Sequence, residues 1–216
     1  GSAMGGAHIV LRDAATGAIL AEGATVGSTG NTARIMAGGP RGTPLADDDT
    51  AAFRAQIDID EPVLVDVEAR GPGVQRQAAV RVTTQRWLLP GQPVIGDGWT
   101  LELPGLVVAA IEPAAHQQIA RDVTRIRISA NISMMCGCPI QPGGPWDASR
   151  FEVRADIAGA EPGSAATFVP LAYGGRTGYF TGELRAPHGG EYVVTVSVLD
   201  RQSGATGVDR TSFIIP

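Results

Sequence analysis

The chain places both of its cysteines in the six-residue run 134–139, which reads Met-Met-Cys-Gly-Cys-Pro. Because Cys136 and Cys138 are separated by one residue, they cannot join distant segments of the fold. Three kinds of chemistry remain for them: a local disulfide, a buried apolar pair, or a set of soft-metal ligands that Met134 and Met135 would complete. Reactive side chains are not concentrated in this way anywhere else in the 216 residues.

The residues before the cysteines alternate between apolar and polar side chains, as expected for a strand with one buried face. If 124–138 is a single strand, Met134, Cys136 and Cys138 continue its core-facing row. Free cysteine is among the most buried residue types, so ordinary packing accounts for this pattern. The same pattern also places three sulfur atoms at a strand end, where a metal or a partner can reach them.

A metal site at this position would be soft. Thiolates and thioethers favour Cu(I), because thioether is a poor zinc ligand and zinc sites usually have four strong ligands. One chain offers Cys136 and Cys138 with Met134 or Met135, so this interpretation predicts a protein partner or self-association that completes the site.

Two neighbouring residues are predicted to surround such a site. Trp146 lies in the loop that follows the cysteines, where it either covers the sulfur atoms or closes the core. Arg176 lies in a facing loop, where its positive charge would favour the thiolate forms.

The cysteines also suggest a thiol–disulfide redox carrier. Residues i and i+2 of an extended strand lie roughly 6.6 Å apart at Cα, near the upper limit for a disulfide. Gly137 would allow the backbone to close the small ring, and the strained bond would be oxidising. A third interpretation is a non-catalytic interaction or adhesion module in which the cysteines are structural.

Other chemistry has little support in the sequence. The motifs of serine hydrolases, zinc proteases and P-loop nucleotidases are missing, and His8, His116 and His188 are scattered, so no enzyme is predicted. The net charge is −5 without a basic cluster, which argues against a nucleic-acid partner. No apolar run approaches the roughly 18 residues of a membrane span.

The elements that would position the cysteines are strands. Glycine (29 residues) and proline (15 residues) punctuate segments rich in valine and threonine, which is typical of short strands joined by turns. The predicted strands of the first half are 7–13, 18–25, 32–36, 53–59, 63–69 and 78–84. Those of the second half are 106–111, 124–138, 151–157, 167–172, 179–185, 192–199 and 211–215.

A weak internal repeat relates 53–87 to 180–214, and Tyr192 begins a strand where a tyrosine corner would lie. Both halves resemble bacterial immunoglobulin-like modules, and the first also resembles transthyretin-like or carboxypeptidase-regulatory units through its Asp13-Ala14-Ala15-Thr16-Gly17 turn. The resemblance implies an all-β chain of two tandem immunoglobulin-like β-sandwich domains. Their predicted bounds are 6–88 and 105–216, with 89–104 as a linker or the start of the second domain.

These observations predict a periplasmic or secreted protein that binds a soft metal, copper first, for delivery or storage. For a protein of that localisation we expect a signal peptide to have been removed, and it would leave no trace here because residues 1–5 are typical of an expression-vector remnant.

Overall fold

The structure is a computed structural model that describes residues 4–38, 40 and 43–216. Met36 is described by its backbone alone. The chain divides into two compact units, Gly1–Pro104 and Gly105–Pro216. Strands form nearly all of the regular structure in both units, so the predicted all-β class is confirmed. Among the described residues, no helix has the length and apolar character needed to cross a membrane.

The first unit is built on one antiparallel sheet with the strand order β2-β1-β3-β4. Its core centres on Leu11, Val65 and Val67. Phe53 and Trp99, from segments outside the strands, pack against this core. The bounds of its elements are β1 His8–Asp13, β2 Ile19–Ala24, α1 Thr32–Ala37, β3 Val63–Gly71 and β4 Val80–Leu88.

The turn between β1 and β2 is held by the side chain of Asp13. Its Oδ1 atom accepts hydrogen bonds from the amides of Ala15 and Thr16, both at 2.8 Å. Gly17 has a φ of 75°, a conformation that favours glycine. The Thr16 and Ala15 amides lower the pKa of Asp13, so the carboxylate that holds the turn stays ionised.

The second unit consists of two sheets with a shared core. One sheet has the order β10-β11-β7-β5 and the other β6-β13-β12-β8-β9. Ile128 and Phe180 from the first sheet meet Val194 and Phe213 from the second in one buried cluster, which makes the unit sandwich-like. The bounds are β5 Leu106–Glu112, β6 Gln117–Gln118, β7 Arg125–Met134, β8 Phe151–Gly159, β9 Thr167–Pro170, β10 Ala172–Tyr173, β11 Tyr179–Arg185, β12 Gly190–Asp200 and β13 Thr206–Ile215.

Tyr192 fixes the corner between β11 and β12. Its hydroxyl donates a hydrogen bond to the carbonyl of His188 at 2.9 Å, and its ring stacks on Phe213 with centroids 5.1 Å apart. A tyrosine at the start of a strand that bonds a carbonyl a few residues upstream has the geometry of a tyrosine corner. The side chain thus ties the corner to the core of the sandwich.

Two predicted strands of the first unit are wrong. The segment 32–36 is helical, and the side chain of Asn31 caps the helix by accepting from the amide of Arg34 at 3.0 Å. The segment 53–59 is not a strand: Phe53 and Ile57 pack against the core from a segment without regular structure. Their alternation reflects burial of the side chains and not pairing.

One predicted strand of the second unit is divided. The segment 167–172 separates at Leu171 into β9 and β10, which belong to different sheets. Leu171 is buried in the core between them, and its amide donates to the carbonyl of Val153 at 2.9 Å. The chain therefore crosses from one sheet to the other while its side chains continue to fill the core.

Candidate functional site

The strand that leads to the cysteines stops before it reaches them. β7 ends at Met134, and the amide of Gly137 donates to the Met134 carbonyl at 2.8 Å. The amide of Met134 in turn donates to the carbonyl of Cys138 at 3.3 Å. The prediction of one strand over 124–138 is thus wrong at its end, because Gly137, with a φ of 80°, allows a tight reversal.

Cys136 and Cys138 are joined by a disulfide bond within this turn. Their Cα atoms lie 5.3 Å apart, closer than two residues of an extended strand, because the chain reverses there. The amide of Cys138 donates to the Sγ atom of Cys136 at 3.3 Å. Both residues are half-buried, so the pair lies at the surface of the unit rather than in the core row.

The two methionines at the start of the turn have different surroundings. Met134 packs against the core cluster, and Met135 is half-buried. The Cε atom of Met135 lies 3.5 Å from the position that a Cβ on Gly105 would occupy. The four sulfur-bearing residues of the predicted site, which are contiguous in sequence apart from Gly137, all lie in the segment 134–138.

The loop after the cysteines closes this end of the core. Ile140 is fully buried, and its carbonyl accepts from the amide of Gly178 at 2.8 Å. Trp146 is partly buried and packs against the same core cluster. Residues on both sides of the cysteine turn are in this way anchored to the core.

Asp147 organises the same loop. Its carboxylate accepts from the amides of Gly143 at 2.6 Å and Ser149 at 2.8 Å. Hydrogen bonds from the Ser149 side chain, the Ser149 amide and the Gly143 amide lower the pKa of Asp147 to about 2. The carboxylate therefore remains an acceptor over the whole range of ordinary pH.

Arg176, predicted to lie near the cysteines, contacts an aromatic ring. It is exposed, and its guanidinium carbon lies 4.2 Å from the centroid of the Tyr179 ring, which is a cation–π contact. The hydroxyl of Tyr179 donates to Oε2 of Glu112 at 3.3 Å, and Ser129 donates to the same oxygen at 2.6 Å. The sequence pattern missed this cluster, because Ser129 lies on the polar face of β7 and yet is fully buried.

A second polar cluster that the sequence pattern missed joins the ends of β8 and β12. Asp200 is fully buried and accepts from Arg150 Nη2 at 2.6 Å, Ser203 Oγ at 2.7 Å and the Gln202 amide at 3.0 Å. Burial raises the pKa of Asp200, but these hydrogen bonds and the charge of Arg150 outweigh it, so the pKa lies below its ordinary value. This cluster is structural.

Hard-ligand metal chemistry has no counterpart in the described part of the chain. Among those residues, no group of three or more His, Cys, Asp or Glu side chains could hold a metal ion. His8 pairs with Glu22 at 3.1 Å, and His116 contacts Ser212 at 3.1 Å.

Comparison with known proteins adds little to this geometry. No family model matches the sequence, and no curated protein matches it. Among solved structures, an engineered protein from a structural genomics consortium aligns with 17% identity and a TM-score of 0.37. The match covers 51% of this chain and 20% of the other, and a TM-score this low does not establish a shared fold.

Proposed function

We propose that the second unit is an immunoglobulin-like sandwich and that the first unit is a related module. The strand order of the second unit supports this. One sheet contains β5, β7, β11 and β10, the other contains β13, β12, β8 and β9, and sandwiches of that type distribute their strands in the same way. The hydrogen bond from Tyr192 to His188 at a strand corner is the second support. The fold alone carries no function.

The function that we propose is soft-metal binding, with Cu(I) as the metal, in a periplasmic or secreted protein that delivers or stores copper. One observation carries the proposal: Cys136, Cys138, Met134 and Met135 lie in a single half-buried turn at a strand end. Thiolates with thioethers are the ligand set that selects Cu(I). Disulfide bonds also form and persist mainly in oxidising compartments.

The two cysteines bind a metal only after reduction, because the thiolate and not the disulfide is the ligand. Two thiolates and one methionine sulfur from one chain then form an incomplete or three-coordinate site. A second copy of the chain would supply the remaining ligands, so the stoichiometry of binding reports on self-association.

The proposal is tested by an anaerobic Cu(I) titration of the reduced protein against a chromophoric chelator. We expect the protein to compete for Cu(I), Cys136→Ser and Cys138→Ser to abolish the competition, and Met135→Leu to weaken it. Met4→Leu, a buried methionine of the first unit, is the matched control and should bind as the wild type does. A ratio of one Cu(I) to two chains would indicate a shared site.

The proposal fails if the reduced protein does not compete, or if both serine variants bind as tightly as the wild type. The result would then favour a second candidate, a non-catalytic interaction or adhesion module with a structural disulfide. Support for that candidate comes from the way in which the disulfide closes a turn that is already held by backbone hydrogen bonds.

A further inference from the structure

The two sulfur atoms of the disulfide have different surroundings. The amide of Cys138 donates to Sγ of Cys136 at 3.3 Å, and this hydrogen bond is made within the turn itself. The Cys138 amide therefore favours negative charge on Cys136, as hydrogen bonds to the charged form of a group do. The bond between the two sulfurs is accordingly polarised toward Cys136.

The backbone keeps this donor in place when the disulfide opens. Two further hydrogen bonds close the turn, from Gly137 to the Met134 carbonyl at 2.8 Å and from Met134 to the Cys138 carbonyl at 3.3 Å. Neither of them involves a sulfur atom. These two bonds therefore hold the Cys138 amide, the donor to Cys136 Sγ, without depending on the sulfur–sulfur bond.

We propose that this disulfide undergoes thiol–disulfide exchange with a fixed polarity. An incoming thiolate attacks Sγ of Cys138, and Cys136 leaves as the thiolate. Exchange is fastest when the leaving sulfur is the one that best carries negative charge, and the amide gives Cys136 that property. The substrate class is a thiol or dithiol, either of low molecular weight or on a protein.

The electrons and bonds balance in two steps. In the first, the bond between the attacking sulfur and Cys138 Sγ forms while the bond between Cys138 and Cys136 breaks, so Cys136 holds the released electron pair. In the second, another thiolate attacks the external sulfur of the mixed disulfide. The protein disulfide is then reduced by two electrons, and two external thiols have become one disulfide.

This inference concerns the same two cysteines as the proposed metal site, but it does not require that a metal binds. If the protein exchanges with the stated polarity and does not bind Cu(I), only the copper proposal fails. If it binds Cu(I) after chemical reduction but exchanges with no polarity, only this inference fails.

The first experiment uses the oxidised, full-length protein and reduced glutathione as the attacking thiol. The reaction is stopped at short times with acid, free thiols are alkylated with N-ethylmaleimide, and the peptide that holds both cysteines is sequenced by mass spectrometry. We expect glutathione on Cys138 and the maleimide on Cys136, with an excess of roughly threefold or more over the reverse product, the scale that one hydrogen bond can give.

A second measurement tests the same asymmetry without the disulfide. Cys138→Ser retains the amide that donates to Cys136 Sγ, whereas Cys136→Ser leaves Cys138 without that donor. We expect iodoacetamide to alkylate Cys136 faster than Cys138 when these matched variants are compared under the same conditions. Circular dichroism confirms that both variants are folded.

Two results would overturn the inference. One is glutathione spread evenly or found mainly on Cys136, together with equal alkylation of the two single thiols. The other is a native disulfide that glutathione leaves intact under conditions in which the denatured protein reacts, since the disulfide would then be purely structural.

Discussion

The Nη2 atom of Arg150 lies 2.6 Å from Oδ2 of Asp200, a carboxylate with no solvent exposure. The ion pair fastens the residue before β8 to the last residue of β12, next to the loop that closes the core at the cysteine end. Removing one partner of such a pair leaves an uncompensated buried charge, which costs more than the pair contributes.

We therefore expect Arg150→Met to lower the free energy of unfolding of the second unit by about 3 kcal/mol. Urea denaturation measures this loss. Arg154→Met is the matched control, since Arg154 pairs with Asp156 at 3.1 Å on the surface and such pairs contribute about 0–1 kcal/mol. Equal losses in the two variants would contradict the role given to the buried pair.

The lowered pKa of Asp200 also makes the free energy of unfolding depend on pH. Its pKa is lowered in the folded protein, so its contribution is complete above the pKa of the unfolded state, about 4, and is lost as the pH falls through the folded pKa. We expect the unfolding free energy of the wild type to fall below about pH 4, and that of Asp200→Asn to fall less steeply.

The comparison between these two proteins is needed because the pKa values of Asp13 and Asp147 are lowered as well. Both carboxylates remain in Asp200→Asn, so the difference between the two pH curves belongs to Asp200. Parallel curves would show that the buried carboxylate makes no pH-dependent contribution.

Tyr192→Phe tests the corner between β11 and β12. The substitution removes the hydroxyl that bonds the His188 carbonyl at 2.9 Å but keeps the ring that stacks on Phe213. We expect a loss of about 1 kcal/mol in the unfolding free energy of the second unit. Tyr173→Phe is the control. Tyr173 contributes its ring to an edge contact with Phe180, and the substitution keeps that ring. We expect this variant to unfold like the wild type.

The sequence predicts this fold only as far as the alternation of apolar and polar residues can show it. Alternation reports burial of one face, so it locates β3, β8 and β11 within two residues of their ends. It also marks 53–59, where Phe53 and Ile57 are partly buried against the core without strand pairing. Pairing depends on a partner distant in sequence, which local alternation does not contain.

The candidate site shows the same limit. The composition of 134–138 identifies the sulfur residues and the role of Gly137, but the alternation continues to Cys138 while the strand ends at Met134. The positive φ of Gly137 reverses the chain and moves the cysteines out of the core row. The clusters around Ser129 and Asp200 were missed because their burial depends on tertiary contacts.

Reduction of the Cys136–Cys138 disulfide should leave the second unit folded. A ring closed over three residues restricts the unfolded chain only slightly. Because its loss returns little entropy to the unfolded state, reduction should lower the free energy of unfolding by about 1.5 kcal/mol. Ile132 and Ile140 are fully buried on either side of the turn, so the core holds the chain whether or not the sulfurs are bonded. We expect thermal unfolding with and without reductant to show a small shift, and no shift in the double variant Cys136→Ser/Cys138→Ser. Loss of the folded near-ultraviolet circular dichroism signal on reduction would instead show that the disulfide holds the sandwich together, and reversible opening of the site would then be incompatible with the native fold.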